Sequence, residues 1–172
     1  MCVLIDTSSF SMVFSTSNKN HHKYKPVLDW IINGKGSVVY GGTKYFEEIG
    51  IQKMKLLNIL KDAGKAVVID RNRIDDRVQL VLDIIPFDED FDDPHLIAIL
   101  QISKCKLICT DDKRLDPYIK DQRLFESMKN RPRIYRDKRN KNLLCDQYIA
   151  DCCSKSKIKK SQIDSIVKHF NV

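Results

Sequence analysis

Short apolar runs alternate with longer amphipathic stretches along most of the chain. The runs at Cys2–Ile5, Ser37–Tyr40, Ala66–Ile69, Lys106–Cys109 and, more briefly, Arg133–Tyr135 have strand length, and polar or glycine-containing segments bound them. Between them the apolar spacing is helical. Pro26 opens a short helix over Val27–Ile32, since proline suits a first helical position, and Asn33-Gly34-Lys35-Gly36 ends it. Residues 15–25, with no periodicity, read as an exposed loop. From Lys44 to Asp62 the positions Tyr45, Phe46, Ile49, Leu56, Leu57 and Leu60 share one helical face, with Gly64 as the stop. Ile74, Val78, Val81, Leu82 and Ile85 mark a further helix that ends before Pro86. Asp93-Pro94 starts another through Ser103, a short one lies near Leu115–Ile119, and two more fit Leu143–Cys153 and Ser161–Phe170. Strands alternating with helices predict an α/β sandwich: a mostly parallel sheet covered on both faces.

Composition narrows this picture. At 172 residues, with 42% hydrophobic side chains, the chain suits one core plus a small appendage. It contains no apolar stretch near the roughly 20 residues that span a bilayer and no secretory leader, so the expectation is a soluble, cytoplasmic protein with no membrane partner. The six cysteines then read as buried, reduced thiols. A zinc site from Cys145, Cys152 and His169 lacks the paired spacing such sites use.

The net charge of +7 is unevenly placed. Residues 123–172 carry 13 Lys or Arg against 5 Asp or Glu, whereas residues 1–122 are close to neutral. A basic C-terminal third suits a polyanionic partner, because Lys and Arg release the counterions condensed on a phosphate backbone; a solvated basic tail is the plainer reading of the same charges. Arg131, Arg133, Arg136, Lys138 and Arg139, flanked by Lys129 and Lys141, are the candidate phosphate contacts.

Four carboxylates stand at the edges of apolar runs: Asp6 after Cys-Val-Leu-Ile, Glu48 in Phe-Glu-Glu-Ile, Asp93 in Asp-Pro-His-Leu-Ile-Ala, and Asp112 in Cys-Thr-Asp-Asp. Each has an ordinary explanation as a helix cap or a solvated acid. Helical geometry separates Glu48 from Glu47: with about 100° between successive residues they lie roughly 110° and 150° from the centre of the apolar face, which brings Glu48 nearer a crevice. In open α/β sheets the crevice beyond the carboxyl ends of the strands is where ligands bind, and acids gathered there suit a hard divalent cation.

In order and spacing these motifs resemble the PIN-domain metal-dependent ribonucleases over roughly residues 1–137. The resemblance implies a five-stranded parallel sheet in the order 3-2-1-4-5, with a nuclease domain over 1–137 and a basic helical extension over 138–172. It further implies Mg²⁺ or Mn²⁺ held by Asp6, Glu48, Asp93 and Asp112, with Asp111 as a reserve ligand and Thr110 in support. RNA is the implied substrate, cut by an endoribonuclease. Among toxin-type or defence-associated members an inhibitory antitoxin-like protein and a homodimer would be the partners. The rival expectation is a catalytically silent module of the same fold that binds RNA or protein.

Overall fold

A computed structural model of the chain describes residues 2–85, 88, 91–145, 150, 152, 153, 161 and 164. Five strands, β1 (Cys2–Ile5), β2 (Ser37–Gly41), β3 (Ala66–Ile69), β4 (Leu107–Cys109) and β5 (Arg133–Tyr135), form one sheet. Its order is β3-β2-β1-β4-β5, and every neighbouring pair is parallel. Successive residues of a strand point to opposite faces. All residues of β1, β2 and β4 are buried, so both faces of the sheet are covered. The edge strands β3 and β5 are only partly buried.

The covering helices are α1 (Phe10–Phe14), α2 (His21–Ile32), α3 (Thr43–Asp62), α4 (Arg71–Ile84), α5 (Pro94–Ser103) and α6 (Asp116–Lys120). Helix α5 is buried over Leu96–Leu100 without a polar face and packs on β1, β2, β3, α3 and α4. It is the central helix of its layer. No helix among the described residues is long and apolar enough to cross a membrane.

Three expected elements differ from those observed. Helix α2 begins at His21, five residues before Pro26, so part of the expected 15–25 loop is helical and the proline lies inside the helix. Tertiary contacts outweigh the proline signal there: Tyr24 is buried with its ring 6.1 Å from that of Tyr135, and its hydroxyl donates to Asp111. Helix α3 is not continuous. Gly50 adopts φ 73°, ψ 165°, which divides the segment into a first helix carrying Tyr45–Ile49 and a second carrying Leu56–Leu60. The expected helix over Leu143–Cys153 is replaced at its start by a 3-10 helix, Lys138–Leu143, packed against α2 and β5. Ala150, Cys152 and Cys153 are non-helical. Residues 146–149 and 151, and the Ser161–Phe170 helix apart from Ser161 and Asp164, lie outside the described residues.

Candidate metal centre

The sheet order reverses between β1 and β4, and the candidate acids collect at the carboxyl ends of these two central strands. Asp6 directly follows β1; its N–H donates to the Cys109 carbonyl at 3.0 Å, which extends the β1–β4 pairing by one step. Its carboxylate, 3% exposed, accepts from the Thr110 hydroxyl at 2.6 Å, the Ser8 hydroxyl at 2.8 Å and the Ser8 N–H at 3.1 Å. A buried carboxylate requires such donors to stay charged. Thr110 also accepts from the Asp112 N–H at 3.0 Å, so one hydroxyl links the two acids at the strand ends.

Glu48 arrives from the first half of α3. That segment is anchored by Tyr45, whose buried hydroxyl donates to the Ile5 carbonyl at 2.7 Å, next to Asp6. Glu48 Oε2 accepts from the Thr7 hydroxyl at 2.8 Å, and Lys44 Nζ stands 3.5 Å from Oε1. Glu47 instead lines an outward groove with Phe46, Ile51 and Met54. Because Gly50 breaks the helix, the angular separation of Glu47 and Glu48 has meaning only within the turn that ends at Ile49.

Asp93 occupies the cap position of α5, but its carboxylate makes no capping hydrogen bond and lies instead beside His95. Burial, then the charges of Asp6, Asp92, Glu48 and Asp112, raise its pKa to about 7. Asp112 is held the other way, below the usual carboxylate range, chiefly by its hydrogen bonds to Arg114. The same guanidinium reaches Asp92 at 2.8 Å, and half of it is exposed, so it can leave at small energetic cost.

His95 is the residue that sequence reasoning missed as a member of this site. It is 1% exposed, and neither ring nitrogen has a hydrogen-bond partner. Nε2 lies 3.5 Å from Glu48 Oε2, and Nδ1 lies 3.9 Å from Asp93 Oδ1. Burial holds its pKa below the ordinary value, which favours the neutral imidazole that can ligate. Its position two residues beyond Asp93, in the first turn of a buried helix, was the available signal.

Two ligand groupings follow, each with donor atoms within 4.8 Å of one another: Glu48, Asp93 and His95, and Asp92, Asp93 and Asp112. Asp93 is common to both. Asp93, its acidity weakened by burial and by the acids around it, with an orphaned imidazole beside it, fits a divalent cation. Asp6 and Asp111 are in neither grouping: Asp6 is held by Thr110 and Ser8, and Asp111 accepts the Tyr24 hydroxyl at 3.2 Å while its N–H donates to Ser9.

The basic residues divide in two. Arg131 and Arg133 precede or begin β5, at the amino-terminal edge of the sheet, whereas Arg136, Lys138 and Arg139 follow it, on the edge that carries the acids. Arg136 is engaged internally: it pairs with Asp116 and donates to the Asp112 carbonyl at 3.0 Å. Lys138 and Arg139 are exposed, and Arg139 is paired with Asp137 in the neighbouring loop. Comparison of the chain with protein-family models, with curated proteins and with solved structures gave no match.

Proposed function

We propose that the protein is a divalent-metal-dependent ribonuclease that hydrolyses RNA phosphodiester bonds, with Asp6, Glu48, Asp93 and Asp112 as the residues that hold Mg²⁺ or Mn²⁺. The observation that carries this reading is Asp93, a cap residue without a capping bond, whose acidity is weakened first by burial and then by the carboxylates around it. Such repulsion is relieved by a cation or by a proton, and at neutral pH a cation is the stronger partner. When bound, a divalent ion acidifies water and offsets charge on the reacting phosphate oxygens.

The chain's own residues prepare that chemistry. Thr110 and Ser8 fix Asp6, Thr7 fixes Glu48, and all three anchors are hydroxyls whose acceptors are the ligand oxygens themselves. Arg114 lies across Asp92 and Asp112 and would have to leave them for these acids to hold a metal. Lys138 and Arg139, beyond the carboxyl end of β5, offer contacts to the RNA backbone, which position a strand without reading its sequence.

Labelled single-stranded and duplex RNA and DNA, incubated with the protein in Mn²⁺ or in chelator, test the proposal. RNA cleaved only with metal is the expected result. RNA bound but left intact in both conditions would favour the catalytically silent module.

A further inference from the structure

At the pole of the sheet opposite the acids, three separate chain segments bring four cysteines together. Cys2 opens β1, Cys105 lies in the turn that leads into β4, and Cys152 and Cys153 come from the C-terminal part of the chain. The sulfurs of Cys2, Cys152 and Cys153 all lie within 4.8 Å of one another, and those of Cys152 and Cys153 are 3.8 Å apart. Cys105 lies outside that triad, next to Cys2: its Sγ is 3.3 Å from the carbonyl oxygens of Cys2 and of Leu107, and Cys152 Sγ is 3.3 Å from that of Ser103. Cys2, Cys105 and Cys153 are buried, and Cys152 is half-buried.

The spacing selects among the chemistries open to clustered thiols. A disulfide needs its sulfurs at about 2.05 Å. A tetrahedral Zn²⁺ with Zn–S bonds near 2.3 Å places sulfurs about 3.8 Å apart, the separation seen between Cys152 and Cys153. Apolar packing of thiols gives no reason for sulfurs from both ends of the chain to fall within one coordination sphere.

We propose that Cys2, Cys152 and Cys153, with Cys105 beside Cys2 closing in as the fourth sulfur, form a structural zinc site that fastens Cys152 and Cys153 to the amino-terminal end of β1. Each thiol that ligates gives up its proton, and a closed four-sulfur set leaves no position for substrate. The site stands apart from the acidic cluster, with β1 between them. It is independent of the ribonuclease reading.

The test uses the full chain purified without chelator or a metal-binding tag. Elemental analysis is expected to give one zinc per chain, and Co²⁺ exchanged into the site is expected to show intense thiolate-to-cobalt charge-transfer absorption. Zinc should be lost in the double variant Cys152→Ser, Cys153→Ser and kept in Cys145→Ser and in Asp93→Asn. Retention of zinc by the double variant, or its loss in Asp93→Asn, would overturn the proposal. Should the double variant fail to fold, the Co²⁺ spectrum of the unsubstituted chain decides: absorption lacking the thiolate band overturns the proposal equally.

Discussion

The Thr110 hydroxyl donates to Asp6 Oδ2 at 2.6 Å and thereby locks the residue after β1 to the loop after β4, across the point where the sheet order reverses. Through the same oxygen it accepts the Asp112 N–H. Two candidate ligands from distant parts of the chain are thus oriented by one fully buried side chain.

Replacing that hydroxyl by a methyl in Thr110→Val keeps the shape but leaves a buried Asp6 oxygen and the Asp112 N–H short of a partner. A loss of about 1–3 kcal/mol in stability is expected from denaturant unfolding. Cleavage and Mn²⁺ affinity should fall further, roughly 10–100-fold, as for other groups that orient metal ligands. Unchanged Mn²⁺ affinity by calorimetry would remove Thr110 from its orienting role.

Asp93 gives the chain a stability dependence on pH in the absence of metal. Its pKa in the folded state is about 7, against 3.8 for the unfolded chain. Between these values the native state holds a proton that the unfolded state has released, so stability is full below about pH 4 and declines as pH rises through 7. Asp93→Asn abolishes that decline. At pH 8 the metal-free variant should be more stable than the natural chain by about 2–4 kcal/mol, measured by urea unfolding at several pH values. A variant less stable at pH 8 would show that the carboxylate is satisfied in some other way.

His95→Leu removes a buried imidazole whose nitrogens lack hydrogen-bond partners. In the metal-free protein it should preserve or raise stability, by up to about 1 kcal/mol, because an unmet polar group is replaced by an apolar one of similar bulk. If the imidazole ligates, the same change weakens binding of Mn²⁺ more than of Mg²⁺, since imidazole suits transition ions and Mg²⁺ favours oxygen. Equal weakening of both ions in competition calorimetry would argue that His95 serves packing alone.

Much of the fold was legible because the sheet is simple. Strands such as Cys2–Ile5 and Ala66–Ile69 are apolar runs bounded by polar turns, and their ends match the observed strands. The start of α2 was not legible, since Pro26 is a strong local signal while the burial of Tyr24 against Tyr135 depends on residues more than a hundred positions away. Gly50 is a single glycine in an otherwise good helical pattern, and its left-handed conformation is a tertiary choice. At the site, apolar runs betrayed Asp6 and Asp112, but a buried histidine within Leu-Ile-Ala resembles a core residue. The cysteine cluster was hidden for the plainest reason: Cys2 and Cys105 are 103 residues apart, and Cys152 and Cys153 are farther still.

Arg136 and Arg139 separate structural from RNA-binding roles among the basic residues. Arg136→Ala cuts the pairing with Asp116 and the bond to the Asp112 carbonyl, so a loss of about 1–3 kcal/mol in stability is expected. Arg139 is 87% exposed, and Arg139→Ala should leave stability within about 0.5 kcal/mol while weakening RNA binding and its dependence on salt. Salt titrations of RNA affinity check the pair; an Arg139→Ala slope equal to that of the natural chain would take this edge out of the RNA path.

The most direct measurement is the rate of Mn²⁺-dependent cleavage of a labelled RNA by the natural chain and by the double variant Asp6→Asn, Asp93→Asn, with circular dichroism to confirm that both are folded. The carboxylate site predicts cleavage by the natural chain and a loss of at least about 100-fold in the variant, given that removing even one preorganised hydrogen-bond donor to a transition state costs about 2.7–4 kcal/mol. Equal rates from the two proteins would contradict the assignment of this crevice as the nuclease centre.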